Sequence, residues 1–203
     1  MSSDTLAALV HKRRSIRRFR PQALDRERLQ RYVDGARMGP SASNRQPLQF
    51  LVVDEPQRCA AVFPHTAWAG YLKDGAPPAG KRPVAYVFIL IDTNINPKAQ
   101  WDVGIAAQTI ALLAVADGVG SCLLGALKRD ALKELFQLPA SLEISLAVGL
   151  GYPDEAPVAE PWDPERDDPE APRYYRDSTG RLHVPKRNLK DVVHFDELRS
   201  NDR

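Results

Sequence analysis

Six cations crowd into nine residues near the start of the chain: Lys12, Arg13, Arg14, Arg17, Arg18 and Arg20, with Ser15 among them and no carboxylate in the run. Guanidinium forks beside a hydroxyl suit a phosphate or another compact anion, because they form short charge-assisted hydrogen bonds in a fixed geometry. The competing reading is a solvated helix end whose positive side chains offset the helix dipole. Ile16 and Phe19 weigh against it, since they anchor the run to a core and restrict where its arginines point. A second polar concentration is the loop Pro40, Ser41, Ala42, Ser43, Asn44, Arg45, Gln46, Pro47. Its hydroxyls, amides and backbone N–H groups can line a planar polar ligand, although the same residue types make ordinary turns.

Other chemistries lack their residues. Gly118, Gly120 and Gly125 have the wrong spacing for a dinucleotide fingerprint and follow a helical pattern rather than a strand. There is no GxxxxGK[ST], HExxH or GxSxG run. His11, His65, His183 and His194 are scattered, and Cys59 and Cys122 lie far apart, so no metal site and no disulfide framework is expected. Both thiols read as inert apolar residues. A net charge of +2 argues against a nucleic-acid binder. The longest apolar stretch, residues 103–116, is bounded by Asp102 and Asp117 and is shorter than the ~20 residues of a membrane span. The basic cluster follows the first apolar residues instead of preceding them, the reverse of a signal peptide. No membrane association and a cytoplasmic location are expected.

The elements that must position these residues follow from periodicity and punctuation. At 203 residues, 43% hydrophobic and 27% charged, the chain is of globular composition and fits one domain or two small ones. Ser3 or Asp4 can cap a first helix through Lys12, and Asp25 a second that carries Leu29, Val33 and Ala36 and stops before Gly39. Leu48 to Asp54 reads as a strand, and Pro56 opens a short helix. Residues 65–83, rich in Gly and Pro, read as a long lid-like excursion holding Trp68 and Tyr71. Val84 to Ile91 is apolar on both faces, as a central strand requires. The helix from Gln100 to Asp117 is apolar nearly all round, which predicts a position inside the fold. Gly118-Val119-Gly120 ends it, and Ser121 to Ala126 follows as a turn segment. A helix near 129–136 and a strand at 143–150 come next. Residues 154–172 form an acidic, Pro-rich crossing too poor in hydrophobic residues to fold alone. Beyond it a hairpin is predicted around Asp177 to Gly180, then the cations Lys186 and Arg187 and an amphipathic end, 189–198. Such a tail needs something to pack against, and a partner subunit is one candidate.

Taken in order, the RRSxR segment, the PSASNRQP loop ahead of the first strand, DVGIAAQ opening the Ala-rich helix, GVGSCLLGA and the basic C-terminal segment resemble the FMN-dependent nitroreductase family. The resemblance spans Leu6 to about Phe195. It implies an α+β fold: a mixed, mostly antiparallel sheet flanked by helices, with residues 173–203 wrapped over the partner of a homodimer. The whole chain, 1–203, would then be a single FMN-binding domain.

The resemblance also implies roles by position. Arg13, Arg14 and Ser15 match the grip on the FMN phosphate and ribityl chain, with Arg17 at the pyrimidine edge, where a cation stabilises the reduced ring. Pro40, Ser41, Ala42, Ser43 and Gln46 match the loop that meets the flavin of the other subunit. Leu123, Leu124 and Gly125 match a turn over the flavin, and Lys186 and Arg187 match C-terminal phosphate-binding cations. Two shared FMN sites per homodimer follow. Leu48 stands where many relatives carry Trp, and the 65–83 excursion is short for the family, so the resemblance does not carry over pocket shape or electron acceptor. The chemistry would pass a hydride from NADH or NADPH through flavin N5 to a nitroaromatic, quinone or activated alkene; no catalytic side chain need be named, because the flavin does the hard step. The alternative is a flavin-binding or flavin-transforming module without efficient NAD(P)H oxidoreductase activity.

Overall fold

The computed structural model describes residues 2–167 and 171–198. The chain divides into two compact units, Met1–Glu155 and Ala156–Arg203.

The first unit begins with α1 (Ser3–Lys12) and α2 (Arg26–Arg37). Ser2, rather than Ser3 or Asp4, caps α1, its hydroxyl accepting the Thr5 N–H at 3.3 Å; Asp25 caps α2 through the Arg28 N–H at 2.7 Å, as expected. The strands are β1 (Leu48–Val53), β2 (Ala85–Asp92), β3 (Gly120–Leu124) and β4 (Leu142–Gly151), and the remaining helices are α3 (Pro56–Val62), α4 (Gln100–Ala116) and α5 (Arg129–Phe136). The strands form an antiparallel sheet in the order β1-β2-β4-β3.

The central strand β2 sorts the core by alternation, because successive side chains of a strand point to opposite faces. Val87, Ile89 and Ile91 pack with Leu29 and Tyr32 of α2 and with Ala107 and Ile110 of α4. Tyr86, Phe88 and Leu90 face the other way, onto Cys59 and Val62 of α3 and Leu132 of α5. The α+β fold is therefore a sheet with a helical layer on each face. Phe88 is fully buried and edge-on to Phe136, with centroids 5.1 Å apart, so truncating it to Ala would cost about 3 to 5 kcal/mol.

Two expectations need correction. Residues 121–124 are not a turn but most of the edge strand β3; Gly118-Val119-Gly120 suggests a break because the pairing that makes the strand comes from distant residues 147–151. Nor does α4 lie wholly inside the fold. Val103, Ala106, Ala107, Ile110 and Ala114 are buried, but Trp101, Ile105 and Leu113 are exposed, Trp101 at 87%. Hydrophobicity all round a helix shows that both faces want cover, not that one chain supplies it.

The second unit is a small sheet of β5 (Val158–Pro161), β6 (Tyr175–Arg176) and β7 (Leu182–Lys186), in the order β5-β7-β6, with β5 parallel and β6 antiparallel to β7. The predicted hairpin is there: Asp177 accepts Gly180 N–H at 2.9 Å across the turn, where Gly180 takes φ +82°. Part of the crossing, β5, is ordered by β7; residues 168–170 of it lie outside the described residues. The apolar end is a single 3-10 turn, Leu189–Asp191, with Leu189, Phe195 and Leu198 strongly exposed; residues 199–203 lie outside the described residues.

Candidate functional site

The basic run is an extended strip laid against the edge of the main sheet. Ser15 bridges Ser121 in parallel, Ile16 N–H donates to Ser121 O at 2.9 Å, and Arg20 N–H to Tyr152 O at 2.8 Å. Ile16 and Phe19 are buried beneath it. Glycines permit the approach: a β-carbon at Gly120 would lie 2.8 Å from Ile16 Cγ1, and one at Gly151 2.9 Å from Phe19 Cδ1.

With the apolar residues held inward, Arg13, Arg14, Ser15 and Arg17 stay partly exposed. Among the described residues, no carboxylate pairs with Arg13 or Arg14. Arg14 instead donates to the backbone carbonyls of Arg13 and His11. Burial, and then the neighbouring Arg13 charge, hold the Arg14 guanidinium below its ordinary pKa. Two adjacent cations, one partly desolvated, are the donor set an anion would relieve. Arg17 is anchored differently, its backbone N–H donating to Glu155 Oε1 at 2.5 Å, a contact with no signal in the local sequence.

The loop after α2 is locked by its own hydroxyl. Ser41 Oγ accepts the Gln46 N–H at 2.9 Å, and Asn44 N–H donates to Ser41 O at 2.9 Å. Ser43, Asn44 and Gln46 take φ of 53°, 52° and 50°, a left-handed conformation that is unfavourable for Ser and Gln. The loop thereby leaves Ala42, Ser43 and Gln46 exposed, while Pro40, Ser41 and Gln46 border a cavity of about 290 Å³ that Leu48 and Asp102 also line. Asp102, in the first turn of α4, is 7% exposed, and its Oδ2 has no hydrogen-bond partner. Sequence reasoning treats Asp102 only as the end of an apolar run; its helical register with Ala106 and Ile110 is the signal that it faces inward.

On β3, Leu123 points outward and Leu124 into the core, so Leu124 can offer a ligand only its backbone. Arg129 fixes the next residue, donating to Gly125 O at 3.0 Å as well as to Ile144 O and Ser145 O. Ser145 is the extra residue of a bulge in β4, which frees its carbonyl for that bond. The excursion is pinned at its start: Ala67 N–H donates to Ala126 O at 3.0 Å, and Trp68 packs into the core below α5. Tyr71, further on, is 60% exposed. The first unit thus brings Arg13 to Arg17 together with β3, and Ser41 and Gln46 together with Asp102. Lys186 and Arg187, in the second unit, are exposed at the end of β7.

A family model described as "Nitroreductase family" matches residues 10–152, a span that contains the basic strip, the 40–47 loop, α4 and β3. The chain belongs to the nitroreductase family. A protein of Archaeoglobus fulgidus whose name couples NADH dehydrogenase with NAD(P)H nitroreductase is 27% identical over 155 residues, covering 72% of this chain and 84% of that one. The 4-nitrobenzoate reductase of Pseudomonas putida is 26% identical over 199 residues, covering 75% of this chain and 87% of that one. Among solved structures, a Desulfovibrio desulfuricans protein crystallised in complex with FMN is 26% identical, with a TM-score of 0.63 over 76% of this chain and 90% of that one. No helix among the described residues of this nitroreductase-family chain is long and apolar enough to cross a membrane.

Proposed function

We propose that this nitroreductase-family chain is an FMN-dependent NAD(P)H oxidoreductase, acting in the cytoplasm as a homodimer with two composite flavin sites. The observation that carries the proposal is the strip of Arg13 and Arg14, adjacent, partly buried and, among the described residues, without carboxylate partners, in a family with an FMN-bound relative. The donor set fits a flavin mononucleotide: cations for a phosphate, Ser15 for a ribityl hydroxyl, and Arg17 for the pyrimidine edge. When bound, FMN supplies the two-electron relay between NADH or NADPH and an acceptor such as a nitroaromatic, quinone or activated alkene.

The protein's part is binding, orientation and electrostatics. Arg13 and Arg14 are assigned to the phosphate, and Lys186 and Arg187, by the family resemblance, are assigned as phosphate-binding cations as well. Arg17 stabilises negative charge at the pyrimidine side. Backbone groups of Leu123, Leu124 and Gly125, fixed by the edge pairing of β3 and by Arg129, meet the ring. Pro40, Ser41, Ala42, Ser43 and Gln46 serve the flavin of the partner subunit. The exposed apolar residues Trp101, Ile105 and Leu113 of α4, with Leu6 and Val10 of α1, support a dimer, since a second copy would cover them. We assign residues 1–203 to one FMN-binding domain, with 173–203 wrapping the partner.

Purification followed by stopped-flow mixing with NADH and NADPH tests the reading. A yellow protein whose flavin colour bleaches rapidly with either nucleotide supports it. A colourless protein that takes up no added FMN overturns it. A yellow protein that neither nucleotide reduces leaves the flavin-transforming module as the better account.

A further inference from the structure

His183 on β7 stands between two carboxylates on different elements. Its Nδ1 lies 2.8 Å from Glu160 Oε2 on β5, and its Nε2 lies 3.1 Å from Asp177 Oδ2 at the turn joining β6 to β7. An ionised carboxylate only accepts, so both contacts are hydrogen bonds only when both ring nitrogens carry a proton. The imidazolium is the form this geometry completes.

The surrounding groups favour that form. Tyr175, the cross-strand partner of His183, stacks on the imidazole with centroids 4.9 Å apart and donates its hydroxyl to Glu160 Oε1 at 2.9 Å. Arg166 lies 3.9 Å from the same Glu160 oxygen but is committed more closely to Asp167, at 3.0 Å. Asp177 is immobilised by the Thr179 hydroxyl at 2.7 Å and by the Thr179 and Arg181 N–H groups at 2.9 Å. Arg176 and Arg181, the cations at either end of the β6-β7 turn, spend hydrogen bonds on the carbonyls of Gly180 and Ala156. Among the described residues of this unit only Leu182 and Pro185 are buried, so little apolar packing holds β5, β6 and β7 together. The cluster around His183 adds side-chain ties among all three strands, to Glu160 on β5, Tyr175 on β6 and the Asp177 turn.

Lys186 and Arg187 follow three and four residues after His183, at the end of the same strand. We propose that the imidazolium of His183 is a positioning residue for the flavin phosphate: it clamps β7 to β5 and to the β6-β7 turn, and so fixes the strand that presents Lys186 and Arg187. The inference rests on the reading above that these two cations contact the phosphate.

It predicts a pH dependence with a definite sign. The Glu160 hydrogen bond, and then that of Asp177, raise the His183 pKa above its ordinary value. A group raised on folding stabilises fully below its unfolded pKa, and the contribution fades as pH rises through the folded value. The clamp is therefore closed in mild acid and opens on the alkaline side of an ordinary histidine.

The test titrates the full-length protein with FMN and, in parallel, with riboflavin, which has no phosphate, between about pH 7 and about pH 9, while NMR follows the His183 ring. FMN itself is a dianion across this range, its second phosphate pKa being about 6. FMN affinity should fall with rising pH, by at most about one decade per pH unit for a single proton, with its midpoint at the His183 midpoint, while riboflavin affinity stays flat. Glu160→Gln should lower both midpoints together, and His183→Gln should give weak, pH-independent FMN binding. A flat FMN profile while His183 deprotonates overturns the proposal, as does a His183 midpoint at or below the ordinary value. If instead Lys186→Ala with Arg187→Ala leaves FMN affinity unchanged, the phosphate assignment itself fails and this inference falls with it, whatever His183 does.

Discussion

Ile16 and Gly120 approach so closely that the basic strip and the sheet edge are one mechanical part: a β-carbon at position 120 would sit 2.8 Å from Ile16 Cγ1. Gly120→Ala should then push the strip outward, at an overpacking cost of about 1 to 3 kcal/mol, and weaken FMN because Ser15 pairs with Ser121 next door. Ile16→Ala removes two of the three clashing carbons. Thermal unfolding of the double variant should show a smaller loss than the sum of the singles, and simple additivity would show that the strip does not rest on Gly120.

Replacing Arg13 and Arg14 by Ala removes two cations that, among the described residues, make no ion pair, so the fold should survive. If they grip the FMN phosphate, each lost charge-assisted bond is worth about 1.5 to 3 kcal/mol, and affinity should drop by orders of magnitude. Fluorescence titration measures it, with circular dichroism as the control for folding. Unchanged affinity would return both residues to the role of a solvated helix end.

Trp101 is 87% exposed on α4, so Trp101→Glu should leave the fold of a single chain intact. Against a second copy the same change buries a charge. If the proposed dimer forms through α4, sedimentation velocity should show a shift from dimer to monomer, with weaker FMN binding in step because a composite site would link cofactor binding to dimerisation. A variant that stays dimeric would remove α4 from the interface.

Burial pushes the thiols of Cys59 and Cys122 up to about 11. At about pH 8 the reactive thiolate is then roughly one part in a thousand of each. A disulfide reagent should leave both untouched in the native protein and titrate both after unfolding in guanidinium. Fast labelling of the native protein would contradict the burial of Cys59 on α3 and of Cys122 on β3.

Much of the fold is legible along the chain because local patterns state it directly. Asp25 at an N-cap, Pro56 opening a helix and the unbroken apolar run of β2 each carry their own physical reason. What is hidden depends on distant partners. Strand β3 reads as a turn because its pairing comes from 147–151, and α4 reads as internal because hydrophobicity all round does not say which face the rest of the chain covers. At the site, the charge of Arg13 and Arg14 and the hydroxyls of Ser41 and Ser43 are plain in the sequence. The orphaned oxygen of Asp102 and the hold of Glu155 on Arg17 are not, since both arise only when segments far apart meet.

The proposed composite flavin site is tested most directly by mixing two variants damaged in different halves, Arg14→Glu and Ser41→Trp. Each alone should bind FMN poorly, because every site in its homodimer carries one lesion. In a mixed dimer both lesions fall in one site and the other is intact, so mixing should restore up to one FMN per dimer. If the folded subunits demonstrably exchange and no FMN binding returns, the flavin is held within a single chain and the shared site is wrong.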